Sequence, residues 1–188
     1  MILYCVVVLV CTVIIAVCNV MFNTSMSTGF AILATILSVV AVVIVDAIIA
    51  LIVSRTSDKK FNVQAKIYNI SKRTSKFYEW LKIKSWKDKV VELGALNHFR
   101  KNKIKDPNNN EYLNKFLIES AKGIWVHLLS MFLGFLIIFI LPLKYSYCIG
   151  IYVAFVNLVL NLLPLMILQY NIPKLKVMIK YNNRHQKV

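Results

Sequence analysis

TGFAILATILSVVAVVIVDAIIALIV, residues 28–53, contains one charged residue, Asp46, and little else that water would solvate. About 20 apolar residues suffice to cross the hydrocarbon core of a bilayer. The stretch exceeds that length, and its few polar residues form no stripe at the helical period. It therefore reads as a membrane-spanning helix rather than a surface one. Moving outward, residues 1–22 hold no charge, and comparable runs of Ile, Val, Leu and Phe occupy residues 123–143 and 148–168. The expected fold is an all-α membrane protein with four transmembrane helices. Residues 1–22 lack a basic flank in front and a small-residue cleavage site behind, so a retained span is expected there.

The 188-residue chain is 59% hydrophobic and 16% charged, yet its formal net charge is +15. Soluble domains are nearer about 45–50% apolar and about 25% charged, which excludes an ordinary water-soluble fold. The two properties separate along the chain. Residues 54–122 hold 17 Lys and Arg against 7 Asp and Glu, and the tail 170–188 holds Lys174, Lys176, Lys180, Arg184 and Lys187. Basic loops stay on the cytoplasmic side. Both basic segments and both termini are therefore expected in the cytoplasm, with residues 23–28 and 144–147 as short external turns. Cys5, Cys11, Cys18 and Cys148 all fall within spans and show no zinc-type spacing, so they are expected to be buried free thiols that pack as small hydrophobes.

Residues 54–122 are too many for a structureless loop and read as a helical, amphipathic segment lying on the membrane. In it Phe77, Tyr78, Trp80, Leu81, Ile83 and Trp86 interleave with Lys76, Lys82, Lys84, Lys87 and Lys89. Rings at headgroup level with cations toward anionic lipid are what an interfacial helix requires. Nucleic acid would use similar residues, but the flanking spans assign this stretch to a bilayer, so membrane lipids are the expected partner and nucleic acid is not. Residues 105–110, Lys-Asp-Pro-Asn-Asn-Asn, break the pattern, and residues 111–119 read as a short helix leading into the third span.

Polar groups in hydrocarbon are costly and usually functional. His127 lies about one turn inside the third span, with Glu119 eight residues earlier, a spacing of two helical turns that puts both on one face. Two readings stand: a histidine bonded to a neighbouring helix, or a general base whose carboxylate partner orients it. In the fourth span Asn157 and Asn161 are i,i+4 neighbours ahead of Pro164, and they read as groups that bond across helices. Asp46 reads as protonated or paired with a lysine. No GxSxG, HExxH, P-loop or GxGxxG motif occurs.

Three stretches resemble a family. Lys76-Phe77-Tyr78-Glu79 with Ile83-Lys84-Ser85-Trp86-Lys87-Asp88-Lys89 resembles the central motif of the glycosyl-4,4'-diaponeurosporenoate acyltransferase family, small bacterial membrane proteins of staphyloxanthin-type carotenoid synthesis. Glu119-Ser120-Ala121-Lys122 with His127 is similar to its acidic, Ser/Thr, basic and histidine pattern at the membrane edge. Tyr170-Asn171-Ile172-Pro173-Lys174-Leu175 is similar to its closing motif. Here Ile124 stands where that pattern has an acidic residue, Lys122 and Ile172 stand for arginines, and Val90-Val91 replaces a Leu-Pro pair.

The resemblance implies an acyltransferase that takes a fatty acyl group from a cytoplasmic acyl thioester. The acceptor would be a hydroxyl of a lipid-linked sugar or carotenoid glycoside. His127 would be the base, Glu119 its orienting partner, and Asp88 an alternative. Lys84, Lys87 and Lys89 would hold donor phosphates, Trp86 would offer a stacking surface, and Lys122, Tyr170 and Asn171 would bind substrate. No cofactor or metal is implied beyond the thioester co-substrate, and no oligomeric state. The alternative is a non-enzymatic scaffold whose basic segment holds anionic lipid headgroups. A transporter is disfavoured, since four spans without an evident repeat offer little pathway.

Overall fold

The computed structural model describes residues 2–22, 26–90, 104–142 and 145–185. Among them there is no strand. The helices are α1 (Ile2–Phe22), α2 (Thr28–Arg55), α3 (Lys72–Trp80), α4 (Ile83–Trp86), α5 (Asn110–Leu133), α6 (Ile137–Ile140) and α7 (Ile151–His185), with short 3-10 turns between α2 and α5. Four stretches are long and apolar enough to cross a membrane: Cys5–Phe22, Thr28–Arg55, Asn110–Ile140 and Ser146–His185. The expected all-α, four-span architecture is thus the observed one. The chain divides into two compact units, one of residues 1–52 and 126–162, the other of residues 53–125 and 163–188.

In the first unit the apolar core joins Ile15 of α1, Ala34 and Val42 of α2, Ile137 of α6, and Ile149, Val153 and Ala154 around the start of α7. Most other large side chains of these helices face outward. Leu9 is 63% exposed and Phe139 80%, an inversion that would be ruinous in water and is normal where the solvent is lipid. The cysteines follow this pattern. Cys5 and Cys18 lie on the outer face and Cys11 and Cys148 are half-buried, all free thiols. The expectation of burial fails because a small hydrophobe gains nothing by hiding from hydrocarbon.

The third span is not one straight helix. After Leu133 the backbone tightens into a 3-10 turn over Gly134–Leu136 before α6. A Cβ on Gly134 would collide with the amide nitrogen of Asn157, so the close approach requires glycine there. Beyond Pro142 the chain re-enters through a wide π turn, Ser146–Gly150. Ser146 Oγ is 2.6 Å from Ile138 O, 2.9 Å from Leu141 O and 3.3 Å from Pro142 O. The one hydroxyl hydrogen is shared near the end of α6, where Pro142 O also accepts from Tyr145 N at 2.8 Å and Ser146 N at 3.1 Å.

In the second unit, Ser71 caps α3 by accepting from Thr74 N at 3.1 Å. The segment expected as one amphipathic helix is two short ones. Lys82, with φ of 52°, is the lone non-glycine residue of positive φ among those described, and it turns the chain from α3 into α4. The aromatic set divides accordingly. Tyr78 and Ile83 are buried, while Phe77 and Trp80 are exposed and stack at 5.9 Å. Asn109 caps α5, its Oδ1 accepting from Tyr112 N at 3.0 Å. From there α5 runs unbroken from Asn110 to Leu133, so residues 111–119 continue straight into the third span. The tail is likewise helical, since α7 passes through Pro164 and Pro173 to His185. Each proline forfeits one ladder bond, to Leu160 O and Gln169 O respectively.

Candidate active site

Three helices of the first unit deliver polar side chains to one place. Asn157 and Asn161, four residues apart on α7, share a face, and both are buried. Asparagine is a weak helix former because its amide competes for backbone partners. In hydrocarbon the backbone keeps its own ladder, and the amides are left to bond to other helices. Asn161 Oδ1 lies 2.9 Å from Nδ1 of His127 on α5. The Asn161 amide nitrogen donates to Oδ2 of Asp46 on α2 at 3.1 Å, and to Asn157 Oδ1 and O at 3.0 and 3.1 Å. Asn157 donates to Ser130 O at 3.0 Å.

This arrangement sets the histidine tautomer. The backbone oxygen of Asn157 only accepts, so the Asn161 atom that bonds both it and Asp46 is the amide nitrogen, and the amide oxygen faces His127. That oxygen also only accepts, so Nδ1 carries the proton and Nε2 is the basic nitrogen. A base held through its second nitrogen by a third polar group is the general layout of an activating histidine. Interhelical hydrogen bonds in membranes contribute only about 0.6 kcal/mol each on average. The cluster therefore adds little stability, and what it does well is position.

The second unit holds the other expected residues differently. Lys122 is nearly buried, its Nζ 2.6 Å from Asp58 Oδ1, 3.7 Å from Glu119 Oε1 and 5.8 Å from the centre of the Phe61 ring. Lys87 pairs with Asp88 at 3.7 Å, and the Asp88 side chain is 69% exposed. Lys84 is exposed on α4, and Trp86 is half-buried with its Nε1 donating to Leu81 O at 2.9 Å. Lys89 ends the 3-10 turn Lys87–Lys89, and its side chain lies outside the described residues. Tyr170 is buried beneath Lys174, whose Nζ sits 3.5 Å from the ring centre, and Asn171 is half-buried.

Two tyrosines close this unit's polar interior. Tyr78 OH donates to Gln169 Oε1 at 2.7 Å, and Tyr68 OH accepts from Trp125 Nε1 at 2.7 Å. Burial pushes both phenols above their usual range, and for Tyr68 the Trp125 bond offsets part of that rise. Both stay protonated at neutral pH and act as hydrogen-bonding groups. The sequence pairs Asn157 with Asn161 and sets Asp46 apart, but does not join them to His127. The available signal was that the fourth span carries an i,i+4 amide pair and the second span an acid. Ser130, Asp58 and Gln169 carried no comparable signal.

No curated protein and no solved structure matches the chain. The model of one family, described as glycosyl-4,4'-diaponeurosporenoate acyltransferase, matches residues 59–181, well over half of the chain. That interval contains the central aromatic motif, Glu119 to Lys122, His127, both span asparagines and the closing motif at Tyr170. With four candidate spans, an amide-held histidine and this match together, the chain is a multi-pass membrane protein that belongs to the glycosyl-4,4'-diaponeurosporenoate acyltransferase family, acyltransferases of carotenoid biosynthesis.

Proposed function

We infer that the protein moves a fatty acyl group from a cytoplasmic acyl thioester to a hydroxyl of a lipid-linked sugar or carotenoid glycoside, with His127 as general base. The observation that carries this reading is the 2.9 Å contact between His127 Nδ1 and Asn161 Oδ1, which leaves Nε2 as the basic nitrogen. In the proposed step Nε2 takes the acceptor's hydroxyl proton while the oxygen bonds to the thioester carbonyl carbon. The tetrahedral intermediate then breaks its C–S bond. The thiolate takes the proton back from Nε2, giving an ester, a free thiol and a neutral imidazole. Asn161 is a positioning residue here and Asp46 holds Asn161.

Glu119 enters the reading as the carboxylate beside Lys122 at the membrane edge, and Asp88 as the partner of Lys87. Trp86, Lys84 and Asn171 would contact donor and acceptor, Tyr170 would act through the Lys174 ammonium over its ring, and anionic headgroups would gather at the basic segments. The one-sided distribution of basic residues supports placing the 54–122 segment and both termini in the cytoplasm.

The test is incubation of the purified protein in lipid nanodiscs with a labelled long-chain acyl thioester and an extract containing glycosylated carotenoids and glycolipids. Labelled ester is expected, with His127→Ala slower by about 10²–10⁴-fold. Absence of labelled lipid across the extract, or equal labelling by His127→Ala, would overturn the reading.

A further inference from the structure

The second unit contains a cleft of about 520 Å³, a volume in the range of small-molecule sites. Its walls include Gln64, Asn114, Lys176, Lys180, Asn183 and Arg184. The three cations are spaced four residues apart on α7, so they form one ridge. Like charges at that spacing repel, and a helix carries such a row at a cost unless an anion offsets it. Among the described residues no carboxylate lines the cleft. The ion pairs of this unit involve Lys87 and Lys122, and neither Lys180 nor Arg184 has an ion-pair partner among the described residues.

Lys176 sharpens the point. Its Nζ donates to Val63 O and Asn69 Oδ1, each at 2.6 Å. Two neutral acceptors hold the ammonium in place and leave its charge uncompensated, with a third N–H still to give. Asn183 accepts from Asn110 Nδ2 at 2.7 Å through its oxygen, which leaves its amide hydrogens as donors at the cleft. The cleft is thus a fixed ammonium, two exposed cations and amide donors around a space much larger than a single inorganic ion.

We propose that this cleft is a binding site for an organic phosphate carrying more than one anionic oxygen group. The source is either the nucleotide end of a coenzyme A thioester or an anionic phospholipid headgroup. The site stands on geometry and charge alone; its coenzyme form rests on the acyl-transfer reading above and locates the donor's phosphates on the Lys176 ridge. Guanidinium and ammonium groups give short, charge-assisted bonds to phosphoryl oxygens.

The experiment uses the full chain in phosphatidylcholine nanodiscs and free coenzyme A, which binds without turnover. Saturable binding that weakens with salt is expected, and the double variant Lys180→Glu/Arg184→Glu should weaken it by about tenfold or more. Both side chains are exposed, and an unchanged thermal transition will show that the variant folds. In a second arm, native mass spectrometry counts phosphatidylglycerol retained from mixed nanodiscs. Coenzyme A binding lost on charge reversal assigns the nucleotide source. Phosphatidylglycerol retention lost without coenzyme A binding assigns the headgroup. If charge reversal alters neither, the proposal is overturned. His127→Ala serves as the separating control: if it abolishes transfer and leaves binding intact, the two readings hold independently, and binding without any transfer by wild type removes only the acyl-transfer reading.

Discussion

In the first unit, His127 and Asp46 meet through the amide of Asn161; in the second, Lys122 meets Asp58 and Glu119 directly. The surroundings explain the choice. Bare opposite charges buried together must repay desolvation that their attraction barely covers, and the direct pair avoids this because the Asp58 side chain is 61% exposed. In the apolar unit an amide does the joining. It gives hydrogens to the acid and an oxygen to the base, so each neighbour is bonded and its orientation is fixed. One cluster therefore sets the direction of a proton, and the other fastens local structure.

That contrast can be broken most readily at Asn161. Asn161→Leu should lower the turnover rate of acyl transfer by about 10²-fold with little change in KM, because the tautomer is lost and the binding surfaces are not. An Asn161→Leu protein with near wild-type kcat would show that the amide only packs. Asp46→Leu acts one bond further back, and about a tenfold loss is expected. Its effect should be non-additive with Asn161→Leu, and a double-mutant cycle that sums cleanly would deny the linkage.

The second unit is predicted to answer in stability rather than rate. Asp58→Asn should lower the free energy of unfolding by about 1 kcal/mol, an effect that shrinks as salt is raised. Denaturation in detergent micelles would measure this, and transfer should change by less than about threefold. Tyr78→Phe should cost about 0.5–1.5 kcal/mol through its bond to Gln169, read in the same experiment. A large catalytic defect in Asp58→Asn alongside a mild one in Asn161→Leu would invert the comparison.

The spans were legible because length and unbroken hydrophobicity are one-dimensional properties, and residues 28–53 show both without any alignment. The central motifs around Trp86, His127 and Tyr170 were legible as a family resemblance, which the match over residues 59–181 bears out. The partners were not legible. Lys122 and Asp58 are distant in sequence, and Asp46 and Asn161 more so, and no periodicity encodes which amide faces which histidine. Helix ends were also hidden. Nothing in the composition of residues 111–119 announces that α5 continues without a break, and a proline at 173 gives no sign of the helix that runs on to His185. Lys82 is a third case, since a lysine in a left-handed conformation has no sequence signature.

Gly134 carries a consequence for how the molecule tolerates change. Replacing a helix-interior glycine by alanine ordinarily stabilises a protein by about 0.5–1 kcal/mol. Here the added methyl would need the space of the Asn157 amide, which itself accepts from Asn161. A substitution that touches no ionisable group and that stability engineering favours would disturb the support of the histidine two contacts away. Libraries sorted for heat tolerance and libraries sorted for turnover should therefore part company at residue 134.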